Sequence, residues 1–188
     1  MNAGKLVVGL VGMPGSGKSV VVETAQERGY DVVVMGDVVR EETRKRGLEL
    51  NPKNMGNVML DMRKKSGASV IAENCLSRIE QAKSNCVIVD GLRSLDEADV
   101  FKTRFPSFSL IAVHASPETR FARLNLRHRS DDPDGWEVFR ERDMRELSVG
   151  LGNAIAMADS MIVNENSRKD IKANVVRTLV RVEEKWKK

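Results

Sequence analysis

The pattern with the clearest chemistry lies near the start of the chain: Gly12-Met13-Pro14-Gly15-Ser16-Gly17-Lys18-Ser19. It spells G-x-x-x-x-G-K-[ST], the phosphate-binding P-loop. Glycines at 12, 15 and 17 let the backbone turn tightly and leave room for a polyphosphate. Successive backbone N–H groups then converge on the anion, and the helix that follows adds its positive end. Lys18 is placed to reach the β- and γ-phosphates and the Ser19 hydroxyl to ligate Mg²⁺, so ATP and Mg²⁺ are the expected cofactors.

Two acids extend this chemistry. Cys86-Val87-Ile88-Val89-Asp90-Gly91 is an apolar run ending in Asp, the form of a central strand carrying a metal-serving carboxylate. Asp-Gly turns also end many ordinary strands, but beside a P-loop the metal role is favoured. Asp37 follows the apolar run Asp31–Met35 and precedes a helical pattern. That position suits a helix cap and equally a carboxylate facing the ligand crevice of an open α/β sheet. Arg93 follows Asp90 in the same loop and is placed to hold a phosphate. Arg120, Arg123 and Arg127 fall at i, i+3 and i+7 of one helix and lead to Arg129 in a loop of Asp, Pro and Gly. The bland reading is a solvated basic face. The functional reading is a lid over 127–135 that closes and brings arginines onto the transferring phosphate, with Arg120, furthest from the loop, contributing least.

These residues need a scaffold, and the remaining pattern supplies one. Apolar runs at 6–11, 31–35, 86–90, 107–114 and 160–163 alternate with helical stretches. The expected fold is α/β: a three-layer P-loop NTPase fold with a five-stranded, mostly parallel sheet and helices on both faces. Helical patterns at 54–65 and 68–83 suggest a small substrate-binding cap within a 48–84 insertion, with plain crossover packing as the alternative. Ser94-Leu95-Asp96-Glu97 forms a capping box, and Ser167 caps a final helix whose apolar stripe runs from Ile171 to Trp186.

Bulk composition narrows the class. At 188 residues, 41% hydrophobic and 31% charged, the chain reads as one globular domain, 1–188, with the insertion and lid inside it. Its net charge of +4 suits a small anionic acceptor. Aromatics at 4% leave few stacking platforms for nucleic acid, so that partner is not expected. No apolar run is long enough to span a membrane and nothing before Lys5 resembles a signal peptide, so a cytoplasmic location is expected. Cys75 and Cys86 form no C-x-x-C pair, and two histidines are too few for a zinc site.

Nearly the whole chain resembles the P-loop kinases of nucleoside-monophosphate-kinase type. It is most similar to archaeal adenylate-kinase-related proteins described as dephospho-CoA-kinase-like. Gly36-Asp37-Val38-Val39-Arg40 resembles the Gly-Asp-Leu-Leu-Arg segment of adenylate kinases, which implies that Arg40 binds an acceptor phosphate. In dephospho-CoA kinases an aspartate near this point is the base, which implies that role for Asp37. Asp90-Gly91-Leu92-Arg93 resembles Asp-Gly-x-Pro-Arg without its proline. Ala158 to Asn164 resembles the Ala-Asp-x-x-Ile-x-Asn close of dephospho-CoA kinases, which implies that the turn at Asn164 borders the adenine. The lid has no cysteines, which excludes a zinc-bearing lid.

The expected activity is in-line transfer of the γ-phosphoryl of ATP to a small acceptor, either a nucleoside monophosphate or a dephospho-CoA-like alcohol. Ser19 and Asp90 serve the metal; Lys18, Arg123, Arg127 and Arg129 offset phosphate charge. Asp37 orients an acceptor hydroxyl, or Arg40 and Arg93 hold an acceptor phosphate. The alternative is a nucleotide-dependent switch or assembly factor with weak hydrolysis. The Asn-Lys-x-Asp guanine motif of GTPases is missing.

Overall fold

The structure is a computed structural model that describes residues 4–127 and 133–187. Five strands, β1 (Leu6–Val11), β2 (Asp31–Val34), β3 (Cys86–Asp90), β4 (Phe108–His114) and β5 (Ser160–Val163), form one parallel sheet in the order β2-β3-β1-β4-β5. The strands are near-continuous runs of Val, Ile and Leu because helices cover both faces. Alternate residues of β1 serve the two cores. Val7 and Val11 join one, while Leu6, Val8 and Leu10 join the other. Gly9 lies on the first face, where a Cβ would meet the side chains of Phe108, Leu110 and Leu92 at 3.0–3.2 Å. The glycine therefore permits close packing against two neighbouring segments, β4 and the loop after β3.

Beneath one face lie α1 (Lys18–Glu27) and α10 (Arg168–Lys185). The stripe read in the sequence faces inward. Ile171, Val175, Leu179 and Val182 are all buried, at roughly 1.5–3 kcal/mol each. The other face carries α2 (Met35–Lys45), α3 (Pro52–Ser66), α4 (Val70–Glu73), α5 (Leu76–Gln81), α6 (Leu95–Arg104) and the short α9 (Leu151–Ala156). Beyond the carboxyl ends of the strands stand α7 (Pro117–Arg127) and α8 (Trp136–Ser148), joined by a cluster of Phe121, Trp136 and Phe139. Among the described residues no helix is long and apolar enough to cross a membrane.

Several local expectations shift. β2 ends at Val34 and α2 starts at Met35, so Gly36 and Asp37 occupy the first helical turn rather than a loop. The helix expected over 68–83 is two pieces. At the break, the Asn74 side chain donates to the Val70 carbonyl at 2.7 Å and the Cys75 N–H turns back to Ala72. Gly150, at φ +101°, separates α8 from α9, where the sequence suggested only punctuation. The Ser94 hydroxyl accepts from the Glu97 N–H as a cap should, but the Glu97 carboxylate turns away to the Arg93 N–H at 2.7 Å and to Arg63 at 2.5 Å.

Candidate active site

Parallel register brings the ends of β1, β3 and β4 level, with Leu10 opposite both Asp90 and Ile111. The strand order reverses beside β1, and the crevice of an open sheet forms there. A cleft of about 370 Å³ occupies that place. Its floor is the P-loop and its walls are the β3–α6 loop, α7, α8 and the start of α9.

The loop conformation depends on its three glycines. A Cβ at Gly12 would lie 2.4 Å from the Val113 carbonyl oxygen, and one at Gly17, whose φ is +94°, would lie 2.1 Å from the Asn164 amide nitrogen. The loop is thus pressed against β4 and the end of β5. Asn164 fastens it by donating to the Ser16 carbonyl at 2.9 Å, while its own N–H donates to His114. The structure thus gives Asn164 a bracing contact with the loop. Met13 packs against the core and Ser16 is buried under the loop, so these two motif residues contribute backbone only.

Lys18 lies folded over its own loop, donating to the carbonyls of Gly12 at 2.5 Å and Met13 at 3.4 Å. Burial lowers its pKa; the Asp90 carboxylate works in the opposite direction. Burial likewise raises the pKa of Asp90, opposed by Lys18 and Arg93. Asp90 Oδ1 is buried without a hydrogen-bond partner among the described residues. Asp90 and Ser19 both line the cleft. One orphaned carboxylate oxygen and one hydroxyl fit Mg²⁺, which takes oxygen ligands and relies on phosphates and water for the rest. No cluster of three or more His, Cys, Asp or Glu residues suited to a closed metal cage occurs among the described residues.

The arginines that share a helix in sequence separate by environment. Arg123 donates to the Asn164 carbonyl at 3.0 Å, and its Nη1 is buried without a partner among the described residues, close to Gly17. Arg127 lines the cleft. Arg129, and with it 128–132 of the expected lid, lies outside the described residues. Arg120 departs from a solvated basic face altogether. It is 4% exposed, grips both oxygens of Asp143 at 2.9 and 2.6 Å, donates to the carbonyls of Pro14 and Ala115, and lies over the Phe139 ring. The turn after β4 and the aromatic cluster enclose it, which helical spacing alone does not reveal.

Asp37 and Arg40 pair with each other at 2.6 Å on α2 and are not among the residues lining the cleft. Arg93 does line it, bound to Glu146 of α8 at 2.8 Å and touching the Met59 sulfur. Sequence reading passed over Glu146, Asp143 and Arg142. Their helix was recognised, but only a three-dimensional neighbour, the β3–α6 loop or α7, distinguishes them from its other charged residues.

Residues 11–140 match the family model described as AAA domain. A UPF0200 protein of Hyperthermus butylicus is 47% identical over 96% of this chain and 97% of its own length. Among solved structures, the shikimate kinase of Bacteroides thetaiotaomicron superposes with a TM-score of 0.62 at 15% identity, over 95% of this chain and 98% of the other. A gluconokinase of Sinorhizobium meliloti gives 0.57 at 14% identity, over 95% and 94%. At such identities the superpositions show a shared P-loop kinase-like fold. The family itself rests on the sequence matches: the chain belongs to the UPF0200 family, within the AAA-domain group of P-loop proteins.

Proposed function

We propose that the protein is an ATP-dependent phosphotransferase acting on a small polar acceptor. The observation that carries this reading is the placement of Lys18 and the orphaned Asp90 oxygen in one cleft with Arg123, Arg127 and Arg142. An anion of high charge density explains the cations, and a divalent metal explains the carboxylate. The kinase-like fold supports it further. Lys18 exchanges the Gly12 carbonyl for the β- and γ-phosphates, and Arg123 and Arg127 spread the charge that develops on the transferred group. Arg129 joins them as a lid residue. Ser19 and Asp90 would hold Mg²⁺, whose contribution is to neutralise phosphate oxygens as a Lewis acid. The acceptor enters on the side of Arg93 and the cap of α3, α4 and α5, with Asp37 and Arg40 at its outer border.

The test is a transfer assay with γ-labelled ATP against AMP, CMP, UMP, dephospho-CoA, shikimate, gluconate and no acceptor. Labelled product with one acceptor is expected, together with a Lys18→Ala variant that folds normally and transfers about 100- to 1,000-fold more slowly. Hydrolysis of the same rate in every arm would instead establish the nucleotide switch, and full transfer by Lys18→Ala would remove the P-loop from the chemistry.

A further inference from the structure

Among the described residues, two carboxylates line the cleft: Asp90 and Glu146. Asp90 is accounted for on the phosphate side, at the end of β3 beside Lys18. Glu146 is not accounted for by nucleotide binding. A buried negative charge in a cleft built for an anion opposes that anion, so it needs either a structural or a chemical task. Its position favours the chemical one. Glu146 lines the cleft from α8, with Arg93 of the β3–α6 loop as its partner, and Leu92 and Leu151 are also in the lining. Arg93 fixes its carboxylate at 2.8 Å, which sets the orientation of its oxygens. The field of Glu146 also reaches Lys18, favouring the charged lysine that marks the phosphate position.

We propose that Glu146 is the catalytic carboxylate on the acceptor side, and that the acceptor is therefore an alcohol that leaves as a phosphate monoester. This deepens the kinase reading and rests on it. The acceptor oxygen forms a bond to the γ-phosphorus as the bond from that phosphorus to the β–γ bridging oxygen breaks. The electron pair stays with ADP, and the hydroxyl proton passes to a Glu146 oxygen and then to water. A phosphate acceptor has no proton to give at neutral pH and would bring a second dianion toward the same carboxylate. Asp37, which the sequence offered for this role, closes its own ion pair with Arg40 outside the lining.

The experiment compares wild type, Glu146→Gln and Glu146→Asp with labelled ATP. One set of acceptors carries hydroxyls (dephospho-CoA, shikimate, gluconate, and water itself as basal hydrolysis); the other is AMP, CMP and UMP. Glutamine keeps the shape and one oxygen for Arg93 but cannot take the proton. Transfer to a hydroxyl acceptor, water included, is expected to fall about 100-fold or more in kcat in Glu146→Gln. The KM for ATP should stay within about twofold and the urea midpoint should hold, with partial recovery in Glu146→Asp. Transfer to a nucleoside monophosphate that Glu146→Gln leaves unchanged overturns the proposal and spares the kinase reading. Unchanged kcat with a shifted urea midpoint overturns it in favour of a structural ion pair. No phosphoryl transfer in any arm, water included, ends both.

Discussion

Asp143 and Glu146, three residues apart on α8, each hold an arginine from another element. In the Arg120–Asp143 pair the arginine is buried, and the contact is two-pronged and tied to the P-loop through the Pro14 carbonyl. The Arg93–Glu146 pair opens onto the cleft, with the Arg93 side chain 38% exposed. The same chemistry thus yields a fixed joint in one case and an exchangeable contact in the other. What differs is access to water. An enclosed pair has nothing to trade with, whereas one at the cleft wall can exchange its partner for a ligand or a solvent molecule.

Substitutions of the two arginines test that contrast directly. Arg120→Ala leaves the half-buried Asp143 without its guanidinium, empties a buried site and frees the Pro14 and Ala115 carbonyls, so urea unfolding should show a loss of about 3–5 kcal/mol. A loss below about 1 kcal/mol would mean the joint is not fixed. Arg93→Ala should be milder, about 1–2 kcal/mol by the same method, because the Arg93 side chain is 38% exposed and the cleft admits water where it stood. Equal losses in the two variants would erase the distinction. The smallest effect has the opposite sign. Asp90 is a cleft carboxylate whose Oδ1 nothing satisfies among the described residues, and burial disfavours its charge. Asp90→Asn should therefore stabilise the ligand-free protein by about 1 kcal/mol, or roughly 2–4 °C in melting temperature. The same variant should bind ATP more weakly when Mg²⁺ is present than when it is absent. Calorimetry and paired titrations with and without the metal read both effects, and a destabilised Asp90→Asn would make this acid an ordinary structural residue.

The nucleotide side of the cleft was readable from sequence because it is local. Gly12 to Ser19 form one contiguous loop between a strand and a helix, and Asp90 ends an apolar run, so order along the chain already fixes order in space. The walls built by the β3–α6 loop, α7 and α8 were not readable, because their contacts join distant segments through side chains. Arg93 meets Glu146 across 53 positions and Arg120 meets Asp143 across 23. Helical spacing grouped Arg120, Arg123 and Arg127 correctly on one helix, yet it carries no information on what lies opposite each. At Asp37 the helix boundary moved by about a turn, since Met35 continues β2 in hydrophobicity while its backbone already belongs to α2.

The hydrogen bond from Asn164 to Ser16 spans 148 positions, and its consequence is one of timing. A ribosome delivers Asn164 148 residues after Ser16. Until β5 has joined β4, the Ser16 carbonyl lacks its donor and Gly17 lacks the amide that covers it. A nascent chain therefore carries the whole nucleotide motif long before it owns a nucleotide site. Because a ligand stabilises only the form that binds it, a nucleotide bound by this loop would favour chains in which β5 has joined the sheet over those still being synthesised.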